Sequence, residues 1–166
     1  MNIKTLAANA LVAAAYVTVS LVAAPIAFSN IQFRIPEIFN HLVVFNKKYF
    51  FGIVLGVLLT NLFSPTGVFD LTFGVAHSAL SLGIVILLAK FIKHKLTLLI
   101  INTIVFTFNM FIIAFELYLA ADLPFLLTWL TTAAGEFGIM ALGIPVMYVL
   151  NKKLNFNHIM EKNELS

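Results

Sequence analysis

Arg34, Glu37, Asp70, Glu116 and Glu136 are charged residues set within or beside long apolar stretches. Ionised side chains are costly next to hydrocarbon, and where they occur they face a partner, a cavity or a transport path. Acids gathered in a partly desolvated pocket attract a cation and repel anions. Aromatic faces beside them suit a planar ring through stacking and cation–π contact. The chemistry to expect is therefore capture of a small, flat cation, with Trp129 and several phenylalanines as the aromatic surfaces.

Each residue also has a simpler reading. Asp70 can cap a helix N-terminus. Glu37 can pair with Arg34 three residues before it. Glu116 falls near a helix end, within reach of water. Trp129 can belong to an interfacial aromatic belt. Glu136 is hardest to dismiss, because it falls about twelve residues into its helix, some ~18 Å along it and close to mid-membrane. His77 reads as a hydrogen-bonded packing residue. No second histidine stands at ligand spacing, and no metal is expected.

The elements that must position these groups follow from composition and spacing. The chain has 166 residues, 61% of them hydrophobic and 10% charged, and its mean hydropathy is +1.03. Soluble domains carry about a quarter charged residues, so this is an integral membrane protein, all-α, read as one domain over 1–166. Segments of about ten alternating residues, the mark of a membrane β-barrel, do not occur. Without cysteine there are no disulfides or thiolate metal sites.

Six helices are expected, at about 5–28, 36–45, 49–63, 69–92, 96–119 and 125–150. The apolar part of the first, Leu6 to Phe28, is longer than the ~7–15 residues of a signal-peptide core and reads as a membrane helix. The second is short, with Pro36 in its first turn, and supplies about half of the ~20 residues a bilayer requires. Gly52, Gly56 and Thr60 give the third a close-approach face. In the fourth, Asp70, Gly74, His77, Ser78 and Ser81 lie on one stripe. Asn102, Asn109 and Glu116 recur every seven residues in the fifth. Trp129, Thr132, Glu136 and Gly143 share a face of the sixth. The polar tail from Asn151 is expected to fray.

Orientation follows from the basic residues. With the N-terminus in the cytoplasm, nine of the ten, all lysines, lie inside and only Arg34 lies outside. Both termini are then cytoplasmic, and the pI near 9.3 needs no nucleic acid to explain it. The same topology brings Glu37, Asp70 and Glu116 to the outer half of the membrane, with Glu136 below them.

The string QFRIPEIF after an alanine-rich first helix, the short second helix, the glycine-spaced third and the segment NLFSPTGVFDLTFG together resemble the QueT family. These are substrate-binding S components of energy-coupling factor (ECF) transporters. The resemblance covers about Ala7 to Leu150. It implies a queuosine precursor as ligand, the aminomethyl-deazaguanine preQ1, bound in an outward-facing pocket of a six-helix bundle. It also implies an AxxxA-type face on the first helix that meets the transmembrane coupling subunit, matched here by Ala10 and Ala14. The chemistry agrees. One carboxylate can accept two adjacent N–H donors of a guanine-like edge, and a second can neutralise the ammonium. Asn109 can donate and accept at the ring edge, Trp129 can stack on the ring, and Arg34 is expected to orient Glu37. The order of expectation among the acids is Glu136 and Glu37, then Asp70 and Glu116.

No G-x-x-x-x-G-K-[ST] loop is present, so ATP hydrolysis falls to partners: two ATPase subunits and the coupling subunit. The chain itself is expected to hold no cofactor and not to be an enzyme, since no nucleophile–base arrangement stands out. The alternatives are an S component for another cationic heterocycle or vitamin and, in a different class, a membrane enzyme using the outer acids and His77.

Overall fold

A computed structural model describes residues 3–27, 34–64 and 66–161, without the side chains of 24–27 and 161. The end of the first predicted helix at Phe28, most of the predicted polar connection 29–35, Pro65 of the predicted turn, and Lys162 lie outside the described residues.

The described chain is all helical. Helix α1 spans Ile3–Ala27. A 3-10 segment, Ile35–His41, runs into the short helix α2, Leu42–Phe45. A 3-10 turn, Lys47–Tyr49, leads into α3, Phe50–Asn61. A π turn, Asp70–Gly74, opens α4, Val75–Leu88. Then come α5, Lys95–Asn109, α6, Phe111–Ala121, α7, Phe125–Leu154, and α8, Phe156–Glu161. Four spans are long and apolar enough to cross a membrane: Ile3–Ala23, Asp70–Leu88, Lys95–Ala121 and Phe125–Leu154. The segments Ile35–Phe45 and Phe50–Asn61 are shorter apolar helices.

The short segment Ile35–Phe45 lies at the centre. Pro36, Glu37, Asn40, His41 and all of α2 are buried. Because it is wrapped on several sides, its polar groups must be satisfied from neighbouring helices. His41 shows how. Asn102 donates through Nδ2 to His41 Nδ1 at 3.0 Å, which leaves His41 Nε2 to donate to the Met140 carbonyl at 2.9 Å. One neutral imidazole thus ties the central segment to α5 and α7.

Helices α1 and α3 pack closely and run in the same direction. Asn9 meets Gly52, Tyr16 meets Gly56, and Ser20 meets Thr60. The glycine face predicted for the third helix is therefore turned onto α1.

The sequence expectation differs from the structure in several places, among them the 3-10 winding of Ile35–His41 within the predicted second helix and the end of the fourth at Leu88 rather than Ile92. The fifth predicted helix, 96–119, is divided at Met110, where the Met110 amide reaches Thr107 rather than Phe106 and tightens the turn. The fourth begins with a π turn instead of a regular α turn, and the carbonyl of Asp70 is taken up by Asn61 Nδ2 at 2.7 Å. The tail does not fray at Asn151. Helix α7 continues to Leu154, and α8 docks beneath the bundle with Phe156 and Met160 buried. Tyr49 donates to the Phe156 carbonyl at 3.0 Å, and Asn46 donates to Asn157 at 2.8 Å. Phe156 and Met160 are one helical turn apart, so their shared apolar face outweighs the polar residues around them.

Candidate ligand site

The site is built around Arg34, at the mouth of the central segment. Its Nε lies 3.7 Å from Glu37 Oε1, and its Nη2 passes 3.7 Å from where a Cβ on Gly74 would stand. The same Cβ would stand 2.5 Å from Asn61 Nδ2, so glycine at the end of the π turn makes room for that amide, with the guanidinium at ordinary contact distance. Electrostatically it neighbours Glu37, Tyr16, Glu136 and Asp70.

Glu37 is fully buried and well held. Tyr16 donates its hydroxyl to Oε1 at 3.0 Å, and Asn40 donates to Oε2. Tyr16 comes from α1 and Asn40 lies one turn along the central segment. Two hydrogen bonds and the Arg34 ion pair on one carboxylate make Glu37 part of the scaffold.

Glu136 is the opposite case. It projects from the middle of α7, is 0% exposed, and neither carboxyl oxygen has a hydrogen-bond donor among the described residues. Its electrostatic neighbours are Glu37 and Arg34. Burial without a donor makes the ionised form of this carboxyl costly.

The second pair of acids repeats the pattern. Asp70, on the π turn, accepts from the hydroxyls of Ser64 and Thr66. These contacts are not an N-terminal cap, and the Glu116 carboxyl lies within hydrogen-bonding reach of Asp70 as well. Glu116, from α6, is also 0% exposed. Neither of its oxygens has a donor among the described residues, and its neighbour is the Asp70 carboxyl. Water does not reach it, contrary to the simpler reading of a helix-end acid.

The polar stripes line the rest. His77, Ser78 and Ser81 of α4 and Asn102 and Asn109 of α5 are buried. His77 Nε2 donates to the Phe106 carbonyl at 3.3 Å, which leaves Nδ1 as a bare acceptor. Asn109 Nδ2 donates to Ser81 Oγ at 2.9 Å, so its amide is partly committed within the wall.

Trp129 sits elsewhere. Its ring packs with Phe108, Phe111 and Phe125, its Nε1 donates to the Phe108 carbonyl at 3.1 Å, and it lines an apolar groove with Ile104, Leu130 and Phe137. The structure therefore joins Arg34, Glu37, Asp70, Glu116 and Glu136 and sets Trp129 among phenylalanines. An aromatic ring that does meet the acids is Tyr16, bonded to Glu37, with Phe39 tilted against it at 6.2 Å.

Sequence reasoning missed Tyr16, Asn40, Ser64 and Thr66. Tyr16 could have been found on the face it shares with Asn9, Ala13 and Ser20, and Asn40 from its place one turn after Glu37. Ala10 and Ala14 lie on the exposed side of α1, opposite Ala13 and Tyr16.

The family model described as "QueT transporter" matches residues 6–152. A protein of Lactococcus lactis subsp. cremoris (strain MG1363), named "Queuosine precursor transporter QueT", is 36% identical over 157 residues, covering 89% of this chain and 92% of its own. No solved structure matches the chain. Family and relative are transporters, which answers the enzyme alternative, and the apolar spans make the chain a multi-pass membrane protein. It belongs to the QueT transporter family.

Proposed function

We propose that the chain is the substrate-binding S component of an ECF-type importer. Its ligand is a queuosine precursor, preQ1, taken from outside into the acid site and handed to an ATP-driven module. That module comprises a transmembrane coupling subunit and two ATPase subunits, and this chain carries no cofactor. The whole chain is one membrane unit that crosses six times, with both termini in the cytoplasm.

One observation carries the ligand assignment. The buried polar side-chain atoms without a partner among the described residues are mostly acceptors: both oxygens of Glu116 and of Glu136, Asn40 Oδ1, Asn102 Oδ1 and His77 Nδ1. Against them stand one pure donor, Arg34 Nη1, and the hydroxyls of Ser78 and Thr107. Buried polar groups require partners, so the occupant must be rich in donors and poor in acceptors. An aminomethyl-deazaguanine cation fits this, with N–H groups on both rings, an exocyclic amine and an ammonium, and with a carbonyl to receive Arg34. The name of the Lactococcus relative points to the same class of ligand.

Six crossings are supported by the parallel packing of α1 and α3. Two parallel helices need a return segment between them, and Ile35–Phe45 supplies it. The exposed Ala10 and Ala14 provide a flat face for the coupling subunit.

The test is ligand titration of the purified protein, followed by its melting temperature. At a hundred times Kd, preQ1 should stabilise by about 2.7 kcal/mol. Guanine should stabilise much less than preQ1, and anionic vitamins should have no effect. Equal stabilisation by a neutral purine, or by a different cation alone, would overturn the assignment of preQ1.

A further inference from the structure

We propose, resting on that reading, that the site is two recognition points on either side of Arg34. In each, one carboxyl is held by the protein and its neighbour is left bare for a donor group of the ligand.

Glu37 and Glu136 form the first point, and Asp70 and Glu116 the second. Glu37 is occupied by Tyr16, Asn40 and Arg34, and Asp70 by Ser64 and Thr66. Glu136 and Glu116 are fully buried and have all four oxygens unpartnered among the described residues. Glu136 neighbours Glu37, Glu116 neighbours Asp70, and Arg34 is the neighbour common to both. A single guanidinium serves two carboxyl pairs, so each pair has acceptor oxygens that Arg34 does not reach. Glu37 and Asp70 are then positioning residues, which fix Arg34 and crowd the bare acid. Glu136 and Glu116 are the specificity determinants.

The ligand class follows. A simple amine has one cationic end and can satisfy only one point. A ligand with donor groups at two ends satisfies both and is selected by the product of the two interactions. In an aminomethyl-deazaguanine those ends are the aminomethyl group and the amino-bearing edge of the ring.

The experiment is a set of double-mutant cycles between protein and ligand. Wild type, Glu136→Gln and Glu116→Gln are titrated with three probes: preQ1, 7-deazaguanine, which lacks the aminomethyl group, and 7-aminomethyl-7-deazahypoxanthine, which lacks the 2-amino group. Each variant should lose at least about thirtyfold in preQ1 affinity. One variant should lose further affinity with only the first analogue, and the other with only the second. Coupling of both variants to the same analogue, or of neither to any, would overturn the two-point assignment while leaving preQ1 as ligand intact. If wild type ignores preQ1, it is the substrate reading that fails.

Stability without ligand then tests the division into held and bare acids by itself. Removing a bare buried charge should raise the melting temperature in Glu136→Gln and Glu116→Gln. Breaking a held one should lower it in Glu37→Gln and Asp70→Asn. The same sign in all four would overturn the division.

Discussion

The backbone amide of Gly52 donates to the side-chain oxygen of Asn9 at 2.7 Å, across the packed faces of α3 and α1. A Cβ at Gly52 would stand 2.7 Å from both the backbone oxygen and Oδ1 of Asn9. Nothing larger than hydrogen fits, and the atoms in the way include backbone. Gly52→Ala should therefore destabilise the protein by roughly 1–3 kcal/mol, the usual cost of overpacking. Gly83→Ala is the control, since nothing lies within 4 Å of its Cβ position. Melting curves of the two variants make the comparison.

Tyr16→Phe keeps the ring and removes one hydroxyl. Glu37 then loses a donor in a fully buried setting, which costs about 1–3 kcal/mol. Ligand affinity should fall as well, because Glu37 and Arg34 are no longer fixed. Wild-type affinity in Tyr16→Phe would mean that Arg34 and Asn40 alone hold Glu37.

Ala10→Trp and Ala14→Trp place a bulky side chain on the exposed side of α1. Both purified variants should bind ligand and melt like wild type, yet fail to support uptake in cells, because a coupling subunit can no longer approach. Loss of binding in the isolated protein would place these positions in the bundle's own packing.

Single cysteines report the topology directly, since the chain has none of its own. An impermeant thiol reagent applied to whole cells should label cysteine at Thr66 or Asp122 and spare cysteine at Lys47 or Lys93. The reverse pattern would invert the orientation.

His41→Ala leaves Asn102 and the Met140 carbonyl without their partner inside the bundle. A loss of about 2–5 kcal/mol is expected from the broken hydrogen bonds and the cavity together. Asn102→Leu, which also strands the ring nitrogen, should cost less because it fills its own space. Thermal unfolding of both variants checks the order.

The convergence of acids was legible because the expected run of successive crossings puts Glu37, Asp70 and Glu116 at the same ends of their helices, with Glu136 some turns along its own. The polar stripes of α4 and α5 were legible because a period near 3.6 survives in any apolar background. The local departures from that period were not. A π turn at Asp70 and a 3-10 segment at Ile35–His41 come from packing demands that periodicity does not carry. Trp129 shares a register with Glu136, but its large ring leans towards Phe108 and Phe111, where its N–H finds a carbonyl. Tyr16 and Asn40 were passed over because each reads as ordinary filling in its own helix. Their importance lies in what Glu37, elsewhere in the chain or a turn away, requires of them.

The 3-10 winding of Ile35–His41 sets the height of the acid site. A 3-10 helix climbs about 2.0 Å per residue and an α-helix about 1.5 Å. Over the seven residues of this segment the difference is roughly 3.5 Å. With His41 pinned to α5 and α7, rewinding the segment as α-helix would draw Arg34 and Glu37 down by that distance and pull them out of level with Tyr16 and Gly74. The pitch of roughly two buried turns is thus the adjusting screw of the whole acid site.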